Sequence, residues 1–265
     1  MRINSLEEYH FEKRKFEKNP ENFWAEKAKK FVWHKKWEEV LNWDFHAAKV
    51  EWFKGGKLNI SENCLDRHLK KNGDRTAIKW IANNPNEKNI DLSYKDLHLQ
   101  VCKFSNVLKS KGINKGDRVC LYMPMVPELA IAVLACARIG AIHSVVFAGF
   151  SAKSLSDRIN DATCKALITS DGGFRGDKIT PLKSIADEAL RTTPSIEFCI
   201  VLERTKSTIN MNDIRDFWWH EEMKNVNIDC TPEKMNSEDE LFILYTSGST
   251  GKPKGIVHTT AGYMV

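Results

Sequence analysis

The chain has 265 residues, of which 42% are hydrophobic and 28% charged; this balance is typical of a soluble globular protein and excludes a disordered one. That length suits two domains or one large α/β domain. Forty basic and 35 acidic residues leave a formal net charge of +5, which is compatible with nucleotide ligands but does not require nucleic acid as a partner.

The apolar runs and the cysteines indicate in which cellular compartment the protein is expected. The longest apolar stretch, residues 129–137, is followed by Arg138 and is too short to span a bilayer. The N-terminus has no apolar core and no small-residue cleavage site, so it does not have the pattern of a secretory signal. Seven cysteines form no C-x-x-C pair, which favours reduced core thiols over disulfides or zinc ligands. We therefore predict a cytoplasmic protein without a membrane partner.

Residues 1–60 are rich in Trp, Phe, Lys and Glu, and contain five tryptophans. Residues 23–33 have a helical pattern, and no alternation of strands and helices is evident. The charges alternate in sign instead of forming a basic face, which favours a packed extension over a peptide- or membrane-binding arm. We predict a Trp-rich, mainly helical N-terminal extension that packs its aromatic residues against a larger body.

From residue 61 the pattern alternates. Predicted helices occupy residues 62–71 (capped by Ser61), 94–111 (started by Ser93), 126–139 (stopped by Gly140), 154–161 and 179–190. Predicted strands occupy residues 75–82, 117–123, 141–147, 165–171, 198–203 and 241–247. Strands separated by such helices indicate βαβ crossovers and a layered, mostly parallel sheet flanked by helices. We therefore assign residues 61–265 to one α/β domain, whose ligands should lie beyond the carboxyl ends of the strands.

A loop rich in glycine, hydroxyls and lysine follows the last apolar strand. Glycines let backbone N–H groups approach an anion, and the lysines add positive charge. The loop is not a Walker A motif, because Lys252 precedes Pro253 and the following residues have a strand pattern. It therefore predicts a polyphosphate site between two strands, made by Thr246, Ser247, Gly248, Ser249, Thr250, Gly251, Lys252, Lys254 and Gly255.

This loop resembles the signature of the adenylate-forming (AMP-binding) enzyme superfamily. Residues 58–68, 116–151, 215–219 and 242–263 are similar to one branch, the AMP-forming acetyl-coenzyme A synthetases. The resemblance implies a ligase that makes acetyl-AMP from acetate and Mg-ATP, releases pyrophosphate, and transfers the acetyl group to coenzyme A, giving acetyl-CoA and AMP. It also implies that the loop holds the β- and γ-phosphates of ATP.

A second candidate site follows the strand at 165–171. Arg175 and Lys178 flank a glycine near the carboxyl end of that strand, a position that suits a phosphate, although charge pattern alone favours an ordinary surface turn. The resemblance implies coenzyme A contacts for Arg175, Gly176, Asp177, Lys178, Phe147 and Gly149. Members of the branch carry an Arg-x-x-Arg here, from which Lys178 departs. A turn with a core phenylalanine remains the alternative for Phe147.

The resemblance also implies that the ligase domain is truncated after the phosphate-binding loop. Members of the branch are longer, with their adenine, acyl-pocket and metal-binding motifs and a mobile C-terminal domain further along the chain. We therefore predict no catalytic residue and no Mg²⁺ ligand before Val265, and no activity for the isolated fragment without the missing C-terminal part. Two alternatives stay open: a propionyl-CoA synthetase, because the acyl pocket lies beyond this sequence, and a non-catalytic nucleotide-binding fragment.

Overall fold

A computed structural model of the chain describes residues 3–246 and 253–265. The described residues form two compact units. The first unit comprises Met1–Asn59, Lys234–Asp239 and Thr259–Val265, and the second comprises Ile60–Glu233 and Glu240–His258.

The first unit begins with two helices and continues with a hairpin. Its elements are α1 (Leu6–Lys18), α2 (Pro20–Ala28), β1 (Glu39–Asp44), β2 (Lys49–Lys54) and β3 (Lys57–Leu58). Ser5 caps α1 by accepting from the backbone N–H of Glu8, and Pro20 occupies the first turn of α2, where its missing N–H costs nothing. The helices agree with the prediction. The antiparallel β1–β2 hairpin was not predicted.

Four of the five tryptophans of the first unit pack mainly against one another and against Phe53, whereas Trp43 is exposed. The ring centroids of Trp33 and Trp37 are 4.8 Å apart, and those of Trp37 and Phe53 are 5.1 Å apart. Trp24 meets Trp52 edge-on at 5.6 Å, an arrangement that the ring quadrupoles favour. The aromatic residues of the extension therefore supply a core of their own.

The second unit contains most of the regular structure. Its elements are α3 (Ile60–Cys64), α4 (Asp66–Asn72), β4 (Thr76–Trp80), β5 (Ile90–Ser93), α5 (Tyr94–Ser110), β6 (Arg118–Leu121), α6 (Pro127–Ile139), β7 (Ile142–Val145), α7 (Ala152–Ala162), β8 (Ala166–Ser170), β9 (Gly173–Arg175), β10 (Lys178–Thr180), α8 (Leu182–Leu190), β11 (Phe198–Leu202), β12 (Asp216–Trp218), α9 (Trp219–Glu222), β14 (Glu240–Thr246) and β15 (Lys254–Thr259), of which Thr259 belongs to the first unit. The short strand β13 (Met235–Asn236) pairs with β3 in the first unit.

Seven of the described strands form one large sheet in the order β12-β11-β8-β6-β7-β14-β15, and the others pair two by two. Neighbouring strands from β12 to β14 run parallel. Val119 and Leu121 of β6 pack into a core with α5 and α6, whereas Cys120 packs into a second core with α7 and α8. Successive strand residues thus bury opposite faces under different helices, and the predicted α/β architecture is confirmed.

The observed helix ends agree with the predicted ones at the start of α5 and the end of α6, and differ at the start of α3. Ser93 and Asp96 form a capping box at the start of α5, and Gly140 ends α6 with a left-handed φ of 75°. Ser61, the predicted cap, instead lies inside α3; within the described residues its buried hydroxyl has no hydrogen-bond partner. The difference arises because the helix starts two residues earlier than predicted, at Ile60, and is interrupted at Leu65, which joins α3 to α4.

All seven cysteines are free, and all except Cys64 are buried. Burial raises the pKa of the Cys136 thiol to about 12, so this thiol is not ionised near neutral pH. The prediction of reduced core thiols holds for the buried six and is wrong for Cys64, which is exposed. In the described ranges, no helix combines the length and apolar character needed to cross a membrane.

Candidate functional site

A pocket of about 300 Å³ opens at the carboxyl ends of the central strands. Phe147 and Gly149, which follow β7, line it together with Gly173 and Arg175 of β9 and Leu244 of β14. β7, β8 and β14 run parallel in the main sheet, and β9 follows the carboxyl end of β8. The pocket thus lies at the edge of the sheet where ligands bind in folds of this type. The pocket therefore brings together three residues predicted to contact coenzyme A.

The β9–β10 hairpin places one cation, Arg175, in the lining of this pocket and a second, Lys178, beside it. Arg175 lies directly opposite Lys178 across the hairpin, so both side chains project from the same face. Gly176 turns the chain with a φ of +59°, which a residue with a side chain rarely adopts. Arg175 and Lys178 are exposed, and among the described residues neither cation has a hydrogen-bonded or ionic partner. Two cations so arranged suit a phosphate group.

The hairpin tip contributes less to this pocket. Lys178 is the neighbour of Arg175 but does not line the pocket. Gly176 and Asp177 line a separate cavity of about 450 Å³, next to the loop that joins β4 and β5. The six predicted coenzyme A residues are therefore divided between the pocket, its neighbourhood and a second cavity.

The corner after β7 presents Phe147 to the pocket. The Phe147 side chain is 61% exposed, so the core alternative for this ring is wrong. A side chain at position 149 would place its Cβ 2.5 Å from the Phe147 ring, which only glycine avoids. The Tyr122 hydroxyl donates to the Phe150 carbonyl at 2.7 Å, and Ser151 caps α7. These contacts hold the turn that carries the ring.

The predicted phosphate-binding loop lies between two neighbouring strands of the sheet, β14 and β15. Thr246 is the last residue of β14 and Lys254 the first strand residue of β15, and both are exposed. A Cβ on Gly255 would lie 3.2 Å from the Tyr245 ring. The predicted phosphate-binding residues Ser247, Gly248, Ser249, Thr250, Gly251 and Lys252 lie outside the described residues. Leu244 lines the pocket, so the loop starts close to it.

Tyr245, which the sequence did not single out, anchors the strand that leads into the loop. Its hydroxyl donates to the Asp161 carboxylate of α7 at 2.7 Å. Burial, helped by that carboxylate, raises the pKa of Tyr245 above its usual value. The Arg158 guanidinium lies 5.4 Å from the Tyr245 ring centroid and 4.7 Å from that of Phe150. Helix α7 thus contacts both the loop strand and the corner after β7.

Asp171 is a second residue that the sequence did not single out. It follows β8 and is 1% exposed. Its carboxylate accepts from the backbone N–H groups of Gly172 at 2.7 Å, Arg204 at 2.8 Å, and Thr205 and Ser207 at 3.0 Å. Burial alone would raise the pKa of Asp171, but these N–H groups lower it below its usual value. Asp171 therefore ties the start of the β9–β10 hairpin to the segment after β11.

Comparison with known proteins assigns the chain to a family. The model of the AMP-binding enzymes matches residues 65–265. The chain belongs to the AMP-binding enzyme family. A second model, the acetyl-coenzyme A synthetase N-terminus, matches residues 9–64, which covers most of the Trp-rich segment.

Individual relatives cover nearly all of this chain. Acetyl-coenzyme A synthetase of Bdellovibrio bacteriovorus is 54% identical over 92% of the chain, and that of Rubrobacter xylanophilus is 57% identical over 92%. The solved acetoacetyl-CoA synthetase from Streptomyces lividans superposes with a TM-score of 0.85 at 25% identity, over 93% of the chain. The chain spans 38% of the length of the two curated relatives and 37% of the solved one.

Proposed function

We propose that the enzyme containing this chain is an AMP-forming acetate–CoA ligase. It joins acetate to the AMP part of ATP, releases pyrophosphate, and then transfers the acetyl group to the thiol of coenzyme A. One observation carries the proposal: a single pocket is lined by residues assigned to coenzyme A and by Leu244, two residues before the phosphate-binding loop. The names of the similar proteins support the choice of acetate.

The loop from Thr246 to Gly255 is proposed to hold the β- and γ-phosphates of ATP. Its glycines allow backbone N–H groups to approach the phosphate oxygens, and Lys252 and Lys254 balance their charge. The exposed positions of Thr246 and Lys254 at adjoining strands support this role. Hydroxyls of Thr246, Ser247, Ser249 and Thr250 add donors that can reorient as the pyrophosphate leaves. Mg²⁺ is proposed to enter with ATP and to neutralise part of the phosphate charge.

The pocket is proposed to receive coenzyme A. Arg175 donates to a phosphate group, with Lys178 as a second charge, while the Phe147 ring stacks on the adenine and Gly149 leaves room for it. Gly176 and Asp177 form the turn that keeps the two cations on one face. The exposed ring supports this fit, as do the two cations, which have no partner among the described residues.

The chemistry requires such an arrangement because a carboxylate is a poor electrophile at neutral pH. Joining it to AMP provides a good leaving group, after which a thiol can attack the carbonyl carbon. The contribution of this chain is to bind and orient the two substrates so that the reacting atoms meet in line. We further propose that residues 1–60 form an extension to a ligase domain beginning at residue 61, and that the enzyme is cytoplasmic, which the buried free thiols support.

The test is acetate-dependent exchange of pyrophosphate into ATP, followed by acetyl-CoA formation, measured on the complete enzyme that carries this chain. We expect acetate to support both reactions at a higher kcat/KM than propionate. A preference for propionate would identify the alternative substrate. Binding of ATP without any carboxylate-dependent exchange would instead favour a non-catalytic nucleotide-binding protein.

A further inference from the structure

An arginine is stacked between two aromatic rings behind the β9–β10 hairpin. The Arg204 guanidinium carbon lies 4.8 Å from the ring centroid of Phe174 and 5.4 Å from that of Trp80. One guanidinium nitrogen donates to the Glu87 carboxylate at 2.8 Å, and the Arg204 side chain is only 18% exposed. A planar guanidinium can lie flat on a ring while its edge pairs with a carboxylate in a fixed geometry, whereas an ammonium acts as a point charge.

Two members of this stack, Arg204 and Trp80, hydrogen-bond to residues that follow strands of the main sheet. The backbone N–H of Arg204 donates to the buried Asp171 carboxylate at 2.8 Å. The indole N–H of Trp80 donates to the Met125 carbonyl at 2.8 Å, and Met125 follows β6 and lines the coenzyme A pocket. The stack is therefore fixed relative to the pocket and not only to the surface loop that holds Glu87.

The third member of the stack belongs to the hairpin itself. Phe174 lies between Gly173 and Arg175 in β9, so its side chain points to the face opposite theirs. Gly173 and Arg175 line the pocket, whereas Phe174 packs on Arg204. The hairpin thus presents one face to the pocket and rests with its other face on the Trp80–Arg204 pair.

We propose that Arg204 is a positioning residue for coenzyme A recognition. By supporting the back of the hairpin it holds Arg175 towards the pocket without itself contacting the ligand. This inference rests on the proposed function, because it assumes that Arg175 binds coenzyme A.

The experiment compares Arg204→Lys with wild type in the complete enzyme. Lysine keeps the charge beside Glu87 but loses the planar stack. We expect KM for coenzyme A to rise about tenfold, since a displaced Arg175 loses part of a charge-assisted contact, while acetate-dependent ATP–pyrophosphate exchange keeps its kcat. Amide hydrogen exchange in residues 173–180 should become faster. Phe174→Leu removes the same contact from the hairpin side, and combining both substitutions should add little to either one.

Arg75→Lys is the matched control, because Arg75 is an exposed residue that precedes β4, whereas Trp80 ends that strand. It should leave both the KM and the hydrogen exchange at wild-type values. The wild-type enzyme is expected to show saturation with coenzyme A. If Arg204→Lys then shows the same KM for coenzyme A as the wild type, this inference is wrong and the proposed function survives. If the wild-type enzyme shows no dependence on coenzyme A, the proposed function fails and this inference fails with it. Equal losses in exchange and acetyl transfer would indicate a general folding role and overturn the positioning role.

Discussion

Replacing Asp171 by alanine is expected to destabilise the second unit strongly. The carboxylate is 1% exposed and accepts from four backbone N–H groups, those of Gly172, Arg204, Thr205 and Ser207. Alanine removes the carboxylate that accepts from these four donors and leaves the donors without that partner. Asparagine is a milder change, because its amide oxygen can keep the Oδ1 contacts while its NH₂ group faces the Ser207 N–H.

The magnitude follows from the number of unpaired donors. Each buried donor without a partner costs about 1–3 kcal/mol. Water that enters the space left by the carboxylate pairs with some of the four donors and so recovers part of the summed cost. We expect Asp171→Ala to lower the free energy of unfolding by about 3–5 kcal/mol, as for other broken buried charge networks. Asp171→Asn should cost about 1–3 kcal/mol, since one donor meets another donor. Either loss is large against a total stability of about 5–15 kcal/mol.

The same contacts predict a pH dependence. The folded-state pKa of Asp171 is lowered, so its stabilisation is present above the unfolded pKa of about 3.9 and is lost as pH falls through the folded value. The difference in stability between wild type and Asp171→Ala should therefore shrink as the solution is acidified below about pH 4.

Urea unfolding of the second unit, followed by tryptophan fluorescence, measures both effects. Asp213→Asn is the control, since Asp213 is exposed, and it should unfold like wild type. An Asp171→Ala midpoint equal to that of the control at neutral pH would refute the reasoning. So would a constant difference between wild type and variant from neutral to acid pH.

Three other substitutions test different parts of the second unit. Arg175→Ala should raise KM for coenzyme A about ten- to a hundredfold with nearly unchanged ATP–pyrophosphate exchange, as steady-state kinetics would show; loss of exchange with normal coenzyme A binding would contradict the assignment. Lys183→Met leaves Asp216, 2.8 Å from the buried ammonium, without that partner and should cost about 3–5 kcal/mol in urea unfolding; a wild-type midpoint would exclude this role. His98, whose pKa the Asp66 carboxylate raises to about 9, should stabilise the fold most below pH of about 6.5 and lose that effect as pH rises through about 9, so the deficit of His98→Gln should shrink over this range.

The sequence predicted the repeating elements well because their signals are local. Apolar runs, the Ser93 capping box and Gly140 mark strands and helix ends through contacts between residues a few positions apart. The sequence did not predict the short strands, because a local pattern needs more residues than they contain. The three-residue strands β9 and β10 are too short to show an alternation of apolar and polar residues. The sequence therefore predicts Arg175 and Lys178 only as neighbours on a turn. In the structure they are cross-strand partners.

The β1–β2 hairpin was missed for a different reason. Tryptophan and charged residues occur in both helices and strands. The composition of residues 39–54 therefore does not distinguish the hairpin from a continuation of the helical segment before it. The antiparallel pairing across the hairpin, for example of Leu41 with Trp52, separates a hairpin from a helix. Such pairing is decided by packing against neighbouring residues and not by propensity.

The sequence by itself therefore determined the α/β class and the family resemblance, and it predicts the phosphate-binding loop, because each signal lies in continuous segments. Only the tertiary structure decided that Phe147, Gly149 and Arg175 line one pocket, and that Asp171 and Arg204 stand behind it. These residues come from strands that are separated along the chain, and β6 lies between β7 and β8 in the sheet. Strand order depends on long-range burial and pairing, whose free energy no local pattern records.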